Sequence, residues 1–498
     1  MKFDFSKSPP QLETLKEAQA FINGLWCYVS DAQKSEQGLL LKIADLEEKL
    51  NTNSSNSSKS PSSDIFKKKK PKKKKYHGSG NKNKLKQGAQ PGHKGKGRKL
   101  LPPEEVDDTV VCLPKPTCEC GGSIHATPNK IKRHQQHELP KIKPIVTEYQ
   151  QVYGYCDECG TTHIGSLPNG ISHNLLGARA IATVAIFTGD YRLGKRPTQQ
   201  VFSDIFNLSV SLGTISNAEN IVSEALKSPV EEAKTYIYQQ TSAVHADETG
   251  HKQQGGKMWM WLAATLLVAV FIIRTARNTE SAKALLGEQF AGILVSDRWS
   301  AYNWIEITRR QFCWAHLKRD IQKISERSGR PGKIGDEILE DIRRMFHLWH
   351  LFKDETISQK TFQAAMKPIR NNIERLLKEG SECDHKKTQN TCKNILKHKD
   401  ALWTFIDIEG KDIEPTNNFA EQQIRFYVLW RKNSFGTQSE RGNLFVERIM
   451  TTTATCKLQG RNRYDYITAA VAAHLKNEAV SSLLPSQELI AEPIKLAA

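Results

Sequence analysis

The chain has 498 residues and a formal net charge of +18, from 72 Lys or Arg against 54 Asp or Glu. That length excludes a minimal scaffold and predicts roughly three domains, and the charge predicts a polyanionic partner. Ten cysteines in a chain this long exclude a disulfide framework, and no N-terminal segment joins a basic start to an apolar core, so a cytoplasmic, reducing compartment is expected.

Residues 1–50 are expected to be helical. Within 38–50, Leu39, Ile43, Leu46 and Leu50 alternate spacings of four and three, as in a short coiled coil that could pair two copies; packing within one chain is the alternative. Residues 51–105 read as a disordered basic tether: NTNSSNSSKSPSSD, then a lysine run beginning at Lys67, Lys68, Lys69 and Lys70, then a Gly-rich basic stretch. Residues 66–99 hold fifteen Lys or Arg and no Asp or Glu. Such a segment buries too little apolar surface to fold alone and binds polyanions, nucleic acid first; the bland alternative is a solvated linker.

Residues 106–170 are expected to form a zinc-binding-like domain. Cys118 and Cys120 precede Gly-Gly, and Cys156 and Cys159 precede Gly160. Paired thiolates on two tight turns hold tetrahedral zinc structurally. The first pair is spaced C-x-C, which leaves Cys112 as a substitute for Cys118 and His125 or His163 as outside candidates. Residues 171–238 read as helices with a helix-turn-helix-like link at NLSVS, offering Thr214, Ser216 and Asn217 to a DNA groove; an ordinary helical subdomain is the alternative.

The apolar run at 258–273, MWMWLAATLLVAVFII, has 16 residues, against the ~20 a membrane helix needs. Its aromatic and β-branched content predicts two buried strands turning near Ala264 or Thr265, and no membrane partner is expected. The strands TSAVHAD and AGILVSD are predicted to end at Asp247 and Asp297. Glu421 is predicted about one turn inside a helix capped by Thr416 or Asn417, on the same side as Asn418 and Arg425. Three carboxylates from two strands and a helix make a hard oxygen site suited to magnesium. Glu248 should point to the opposite face of its strand. His316, Arg319, Arg425, Arg431 and Lys432 form a second group suited to phosphate. Residues 239–475 are thus expected to be an α/β ribonuclease-H-like catalytic core with a helical insertion at about 321–408, and 476–498 a C-terminal tail.

Taken together, NSSNSSKSPSSD, GAQPGHKG, the cysteine turns, HADETG, SDRWSAY, FCWAHLKRD and NNFAEQQIRFYVLWRKNSFG resemble transposases of the insertion sequence 66 family, bacterial members of the DDE superfamily. The resemblance implies a multidomain, nucleoid-associated enzyme with Asp247, Asp297 and Glu421 as catalytic acids on Mg2+ (or Mn2+). It implies cleavage at the terminal inverted repeats of an insertion sequence, then transfer of the 3′ end to target DNA by in-line displacement. A homo-oligomer, with companion proteins of the same element as candidate partners, goes with that reading. The C-x-C pair departs from the family's C-x-x-C. The alternatives are a non-catalytic DNA-binding regulator, a decayed transposase, or a ribonuclease-H-like nuclease that cuts without joining.

Overall fold

Thr14 and Glu17 close a capping box, Thr14 Oγ1 accepting from Glu17 N and Glu17 Oε2 from Thr14 N, each at 3.3 Å. It starts the 37-residue helix α1 (Leu15–Asn51). Leu39, Ile43, Leu46 and Leu50 are all exposed along it. The computed structural model describes residues 14–53, 56, 99–127, 131–171, 174–408 and 413–485. Lys67, Lys68, Lys69 and Lys70, most of the expected tether and the end of the expected tail lie outside them.

The described chain divides into two compact units, one of residues 68–146 with 204–208 and the other of the remainder. The smaller unit carries a tight turn in which Cys118 N donates to Gly122 O at 2.8 Å and Gly121 N to Cys118 O at 3.0 Å. An isolated antiparallel bridge, Thr117 to Ser123, flanks it. The division falls inside the expected 106–170 domain, so Cys156 and Cys159 belong to the larger unit.

In the larger unit β1 (Tyr153–Tyr155) and β2 (Thr162–Ile164) form a short hairpin. Helices α2 (Ala178–Ala185), α3 (Lys195–Asp204), α4 (Leu212–Ala225) and α5 (Lys227–Tyr238) follow. Ser211 caps α4, accepting from Thr214 N at 3.0 Å. The three residues expected to reach a groove all have partners within the chain. Thr214 Oγ1 lies 2.9 Å from Ser211 Oγ, Ser216 Oγ accepts from Lys195 Nζ at 2.7 Å, and Asn217 Nδ2 donates to Asn174 Oδ1 at 2.9 Å.

The central sheet comprises β3 (Ala243–Gln253), β4 (Gly256–Ala264), β5 (Ala269–Arg274), β6 (Ile293–Ser296) and β7 (Arg310–Phe312), with α6 (Thr279–Leu286) crossing between β5 and β6. Strand order is β5-β4-β3-β6-β7, the first three antiparallel and the last two parallel to β3. The 258–273 run supplies β4 and β5, buried almost throughout and joined by a turn at 265–268. Among the described residues no helix is long and apolar enough to cross a membrane.

After β7 come α7 (Trp314–Ser325), α8 (Gly329–Lys353), α9 (Gln359–Glu382), α10 (Lys386–Lys397) and the single turn α11 (Thr404–Asp407). The helical block therefore begins at Trp314, ahead of the expected 321, because the FCWAH segment leaves its strand and turns directly into helix. It shares one apolar core with the sheet, joining Val295 and Phe312 to Ile338, Trp349, Phe362 and Trp403. The chain returns through α12 (Asn418–Ser434), α13 (Glu440–Leu458) and α14 (Arg463–Leu475). Helix α13 covers the edge of β5: Thr455 Oγ1 accepts from Ala269 N at 3.1 Å and Thr451 Oγ1 from Phe271 N at 2.9 Å. These hydroxyls satisfy edge donors that would otherwise template another strand.

Candidate active site

Asp247 was expected at a strand end, yet it sits in the middle of β3. Strand β4 pairs with β3 through to Gln253, where Gln254 and Gly255, both at positive φ, make the hairpin turn. On the other side β6 pairs only with residues 243–245. Asp247 thus stands two residues past the point where β6 stops, and Asp297 immediately follows the last residue of β6. The two acids flank a break in pairing created by the shortness of β6.

Alternation along β3 assigns its faces. The odd-numbered residues meet α12: His245 packs on Phe419, Thr249 Oγ1 accepts from Arg431 Nη1 at 3.2 Å, and His251 Nδ1 lies 2.5 Å from Tyr427 Oη. Asp247 shares this face with the helix that carries Glu421. Asn417 brings that helix in. Its side chain was expected as an N-cap but makes no capping bond, because Nδ2 donates to Ala246 O at 2.7 Å and Oδ1 lies 3.2 Å from His245 Nδ1. Asn417 N also donates to Cys313 Sγ at 3.1 Å, fastening the start of α12 to the end of β7.

Glu248 occupies the other face. Its side chain is 1% exposed and accepts from Arg277 Nε at 2.7 Å and Tyr302 Oη at 2.8 Å. Arg277 also lies 3.6 Å from Asp297 Oδ2 and stacks on Trp299, its guanidinium carbon 4.1 Å from the ring centroid. The Asp297 loop is held further by Trp299 N, which donates to Asp297 Oδ1 at 2.9 Å, and by Arg298, which binds Asn394 and Asp320 of the helical block.

Electrostatics register the crowding of acids. Burial, then the charges of Glu248, Asp297 and Glu421, push the Asp247 carboxyl well above the ordinary range, against one opposing bond from Glu248 N to Asp247 Oδ1 at 2.9 Å. Burial and the Asp297 charge raise Glu248 as well, with Arg277 acting the other way. Beneath them Arg310 is buried, its guanidinium lowered to about 10 by desolvation although the Asp297 charge favours its ionised form. Its Nη1 donates to Asn303 at 3.0 Å, and its Nε and Nη2 have no hydrogen-bond partner among the described residues.

The expected phosphate-facing group is divided. His316 Nε2 lies 3.9 Å from Glu421 Oε1. Arg319 is half-buried on α7, and Arg425 and Lys432 are exposed on α12. Arg431 instead binds the β3 backbone at Gly250 O and the Thr249 hydroxyl, so it ties helix to strand. Among the described residues no three His, Cys, Asp or Glu side chains are gathered closely enough to hold a metal ion. Asp247, Asp297 and Glu421 are instead engaged separately, with Glu248 N, with Trp299 N and Arg277, and beside His316.

Each cysteine pair has a turn of its own. Between β1 and β2, Cys156 N donates to Thr161 O at 3.0 Å and Gly160 N to Cys156 O at 2.8 Å. The Cys159 thiol, 3.1 Å from Thr161 Oγ1, is lowered chiefly by that contact, and Cys118 chiefly by a backbone hydrogen bond from Cys120. Cys112 and His125 are exposed in the smaller unit, and His163 is exposed on β2.

Sequence reasoning missed Arg277, Tyr302 and Trp299. Trp299 and Tyr302 carried a signal, as parts of SDRWSAY; Arg277 carried none and is recruited by tertiary packing.

The mixed sheet, with acidic residues flanking the break in its pairing and helices packed around it, defines a mixed α/β protein of several parts. The chain belongs to the IS66 family of transposases: the model of that family matches residues 173–444, more than half of its 498 residues, and includes all three acids. A family of unknown function, DUF6444, matches residues 7–99. Among curated proteins the chain is similar to uncharacterized protein y4qI of Sinorhizobium fredii, 28% identical over 199 residues, covering 36% of this chain and 35% of that protein. It is also similar to uncharacterized protein y4hP of the same organism, 22% identical over 401 residues, covering 72% of this chain and 71% of that protein. The chain thus spans about a third of the first relative's length.

Proposed function

We propose that the protein binds the ends of an insertion sequence and catalyses metal-dependent DNA strand cleavage and strand transfer, with Asp247, Asp297 and Glu421 as the catalytic acids. The observation that carries this reading is the convergence of charge on Asp247. The Asp297 carboxylate, from the loop after β6, and the Glu421 carboxylate, from α12, both act on Asp247 in β3, inside the family-matched region. The order β5-β4-β3-β6-β7, with three antiparallel strands followed by two parallel ones, supports a ribonuclease-H-like core.

The three acids have the oxygen-donor chemistry a divalent cation requires, although among the described residues they are not gathered into a closed site. All three groups are hard oxygen ligands, and a doubly charged ion would relieve the repulsion that otherwise favours protonation of Asp247. When bound, magnesium or manganese would polarise the phosphoryl group and offset charge on the attacking and leaving oxygens. The chain's own residues fix each acid: Arg277 and Trp299 orient Asp297, Asn417 fixes the start of the Glu421 helix against β3, and His316 stands beside Glu421. Exposed Arg425 and Lys432 supply cationic contacts to the DNA backbone.

Structural zinc on the cysteine turns belongs to the same proposal, supported by the tight turn each pair forms. Pairing of two copies through α1 is supported by its exposed leucines and isoleucine.

The test is nicking of duplex DNA carrying one element end by wild type and by Asp247→Asn, Asp297→Asn and Glu421→Gln, each also assayed for binding. The proposal expects cleavage lost and binding kept in all three variants. Wild-type binding without cleavage under magnesium or manganese would instead support a regulator or a decayed enzyme.

A further inference from the structure

At the far end of α12 from Glu421, Phe435 adopts φ 61° and is 81% exposed. A bulky side chain in the left-handed region is strained, and glycine is the usual residue at such a helix end. Exposure means that burial recovers none of that cost. Gly436 stands next to it at φ 112°, where a β-carbon would come within 2.2 Å of Lys252 O; its glycine is required by close approach to β3. Phe435 has no comparable packing reason, and strain without packing benefit concentrates at functional positions.

A second strained segment lies beside it. The π-turn Ile186–Asp190 ends in Tyr191, exposed and stacked on Phe187, and Arg192 at φ 64°. Asn433 Nδ2 lies 3.5 Å from Arg192 O, and Trp430 Nε1 donates to Thr188 O at 2.9 Å. The β3 hairpin joins the same place, Thr437 N donating to Lys252 O at 2.9 Å. Lys195 and Arg441 converge on Ser216 Oγ at 2.7 and 3.4 Å. Arg192, Lys195, Arg196, Lys252, Lys432 and Arg441 lie on the segments that these bonds join, which also carry the two exposed aromatic rings. Glu219, paired to Lys195 at 2.8 Å, and exposed Glu440 are acids of the same region.

We infer that this surface is a second DNA contact, in which the basic residues hold the duplex backbone and Phe435 inserts against its bases. Cations interleaved with exposed aromatic rings match the chemistry of a phosphate backbone with stacked bases, and a phenylalanine wedge can unstack a base step. From Glu421 to Phe435 is 14 helical positions, about 21 Å at the helical rise, or roughly six base-pair steps. A duplex lying along α12 would therefore meet Phe435 about six base pairs from the phosphate at the acids. The inference rests on the DNA-processing reading and adds where, and by what side chain, the duplex is distorted.

The test uses the full chain and a duplex carrying one element end, with 2-aminopurine placed in turn at each position on both sides of the cleavage point. Wild type is expected to raise fluorescence at one or two positions roughly six base pairs from that point. Phe435→Gly is expected to melt no lower than wild type, lose the fluorescence change and bind about five- to a hundredfold more weakly, with an unchanged salt slope. Phe435→Trp is expected to restore the signal. A Phe435→Gly protein that keeps wild-type affinity and fluorescence overturns the inference while leaving the DNA-processing reading intact. Wild type that binds no end DNA overturns both.

Discussion

Arg277 joins Glu248 to Asp297. Its Nε donates to Glu248 Oε1 at 2.7 Å while the same guanidinium stands 3.6 Å from Asp297 Oδ2. One cation thus couples a buried acid on one face of β3 to the acid that follows β6. Arg277→Ala would leave the Glu248 carboxylate desolvated with only the Tyr302 hydroxyl, a loss of about 2–4 kcal/mol in urea unfolding. Arg277→Lys is expected to recover little, because the contact combines a forked hydrogen bond with stacking on Trp299. A loss below about 0.5 kcal/mol for Arg277→Ala, the scale of an exposed pair, would contradict this role.

Asn417 is the corresponding brace for the third acid. Removing its amide in Asn417→Ala leaves Ala246 O and the His245 ring without their partner and loosens α12 against β3. A loss of about 2–3 kcal/mol is expected for a buried group of this kind, accompanied by weaker DNA cleavage. Asn417→Ala with unchanged unfolding would show that the amide does not fasten the helix.

Buried histidines set an acid limit on stability. Burial lowers His245 from 6.5 to about 4, partly offset by its bond to Asn417, and lowers His251 as well. Because the folded value lies below the unfolded one, the contribution is fully present above pH 6.5 and is lost as pH falls toward about 4. For His245 this amounts to about 3 kcal/mol across that window. The raised Asp247 and Glu248 carboxyls act with the opposite sign, favouring the fold at low pH. The difference between wild type and His245→Gln therefore isolates the histidine: it should shrink between about pH 7.5 and about pH 4.5. A pH-independent difference would contradict the buried neutral ring.

Zinc should be measurable without any DNA. Purified protein is expected to carry stoichiometric zinc by atomic absorption, reduced by Cys156→Ser or Cys159→Ser while Cys27→Ser has no effect. Absence of stoichiometric zinc in wild type would remove zinc from the account.

The sequence made the sheet legible because β4 and β5 are written as one long apolar run broken by a turn, and because AGILVSD stops where β6 stops. The length of β3 was not legible: past Asp247 its residues, ETGHKQ, are polar, and pairing with β4 carries them as strand regardless. Asn417 was read as a cap from its local position, yet a partner 171 positions earlier, Ala246, takes its side chain. Arg431 looked like a phosphate ligand for the same reason, since a basic residue on a helix carries no mark of the backbone carbonyl it will meet. Arg277 carried no periodicity or motif, and Tyr302, although part of SDRWSAY, carried no mark of its partner; the packing of α6 and the β6 loop against β3 brings both to Glu248.

Asp247, Asp297 and Glu421 are proposed to form one DNA-cutting and joining centre. The most direct measurement is joining of a pre-cut element end to target DNA under magnesium, with wild type beside Asp247→Ala, Asp297→Ala and Glu421→Ala. Wild type is expected to give joined product and each variant none, with end binding retained. Joining that persists in any one of the three alanine proteins would contradict the proposal.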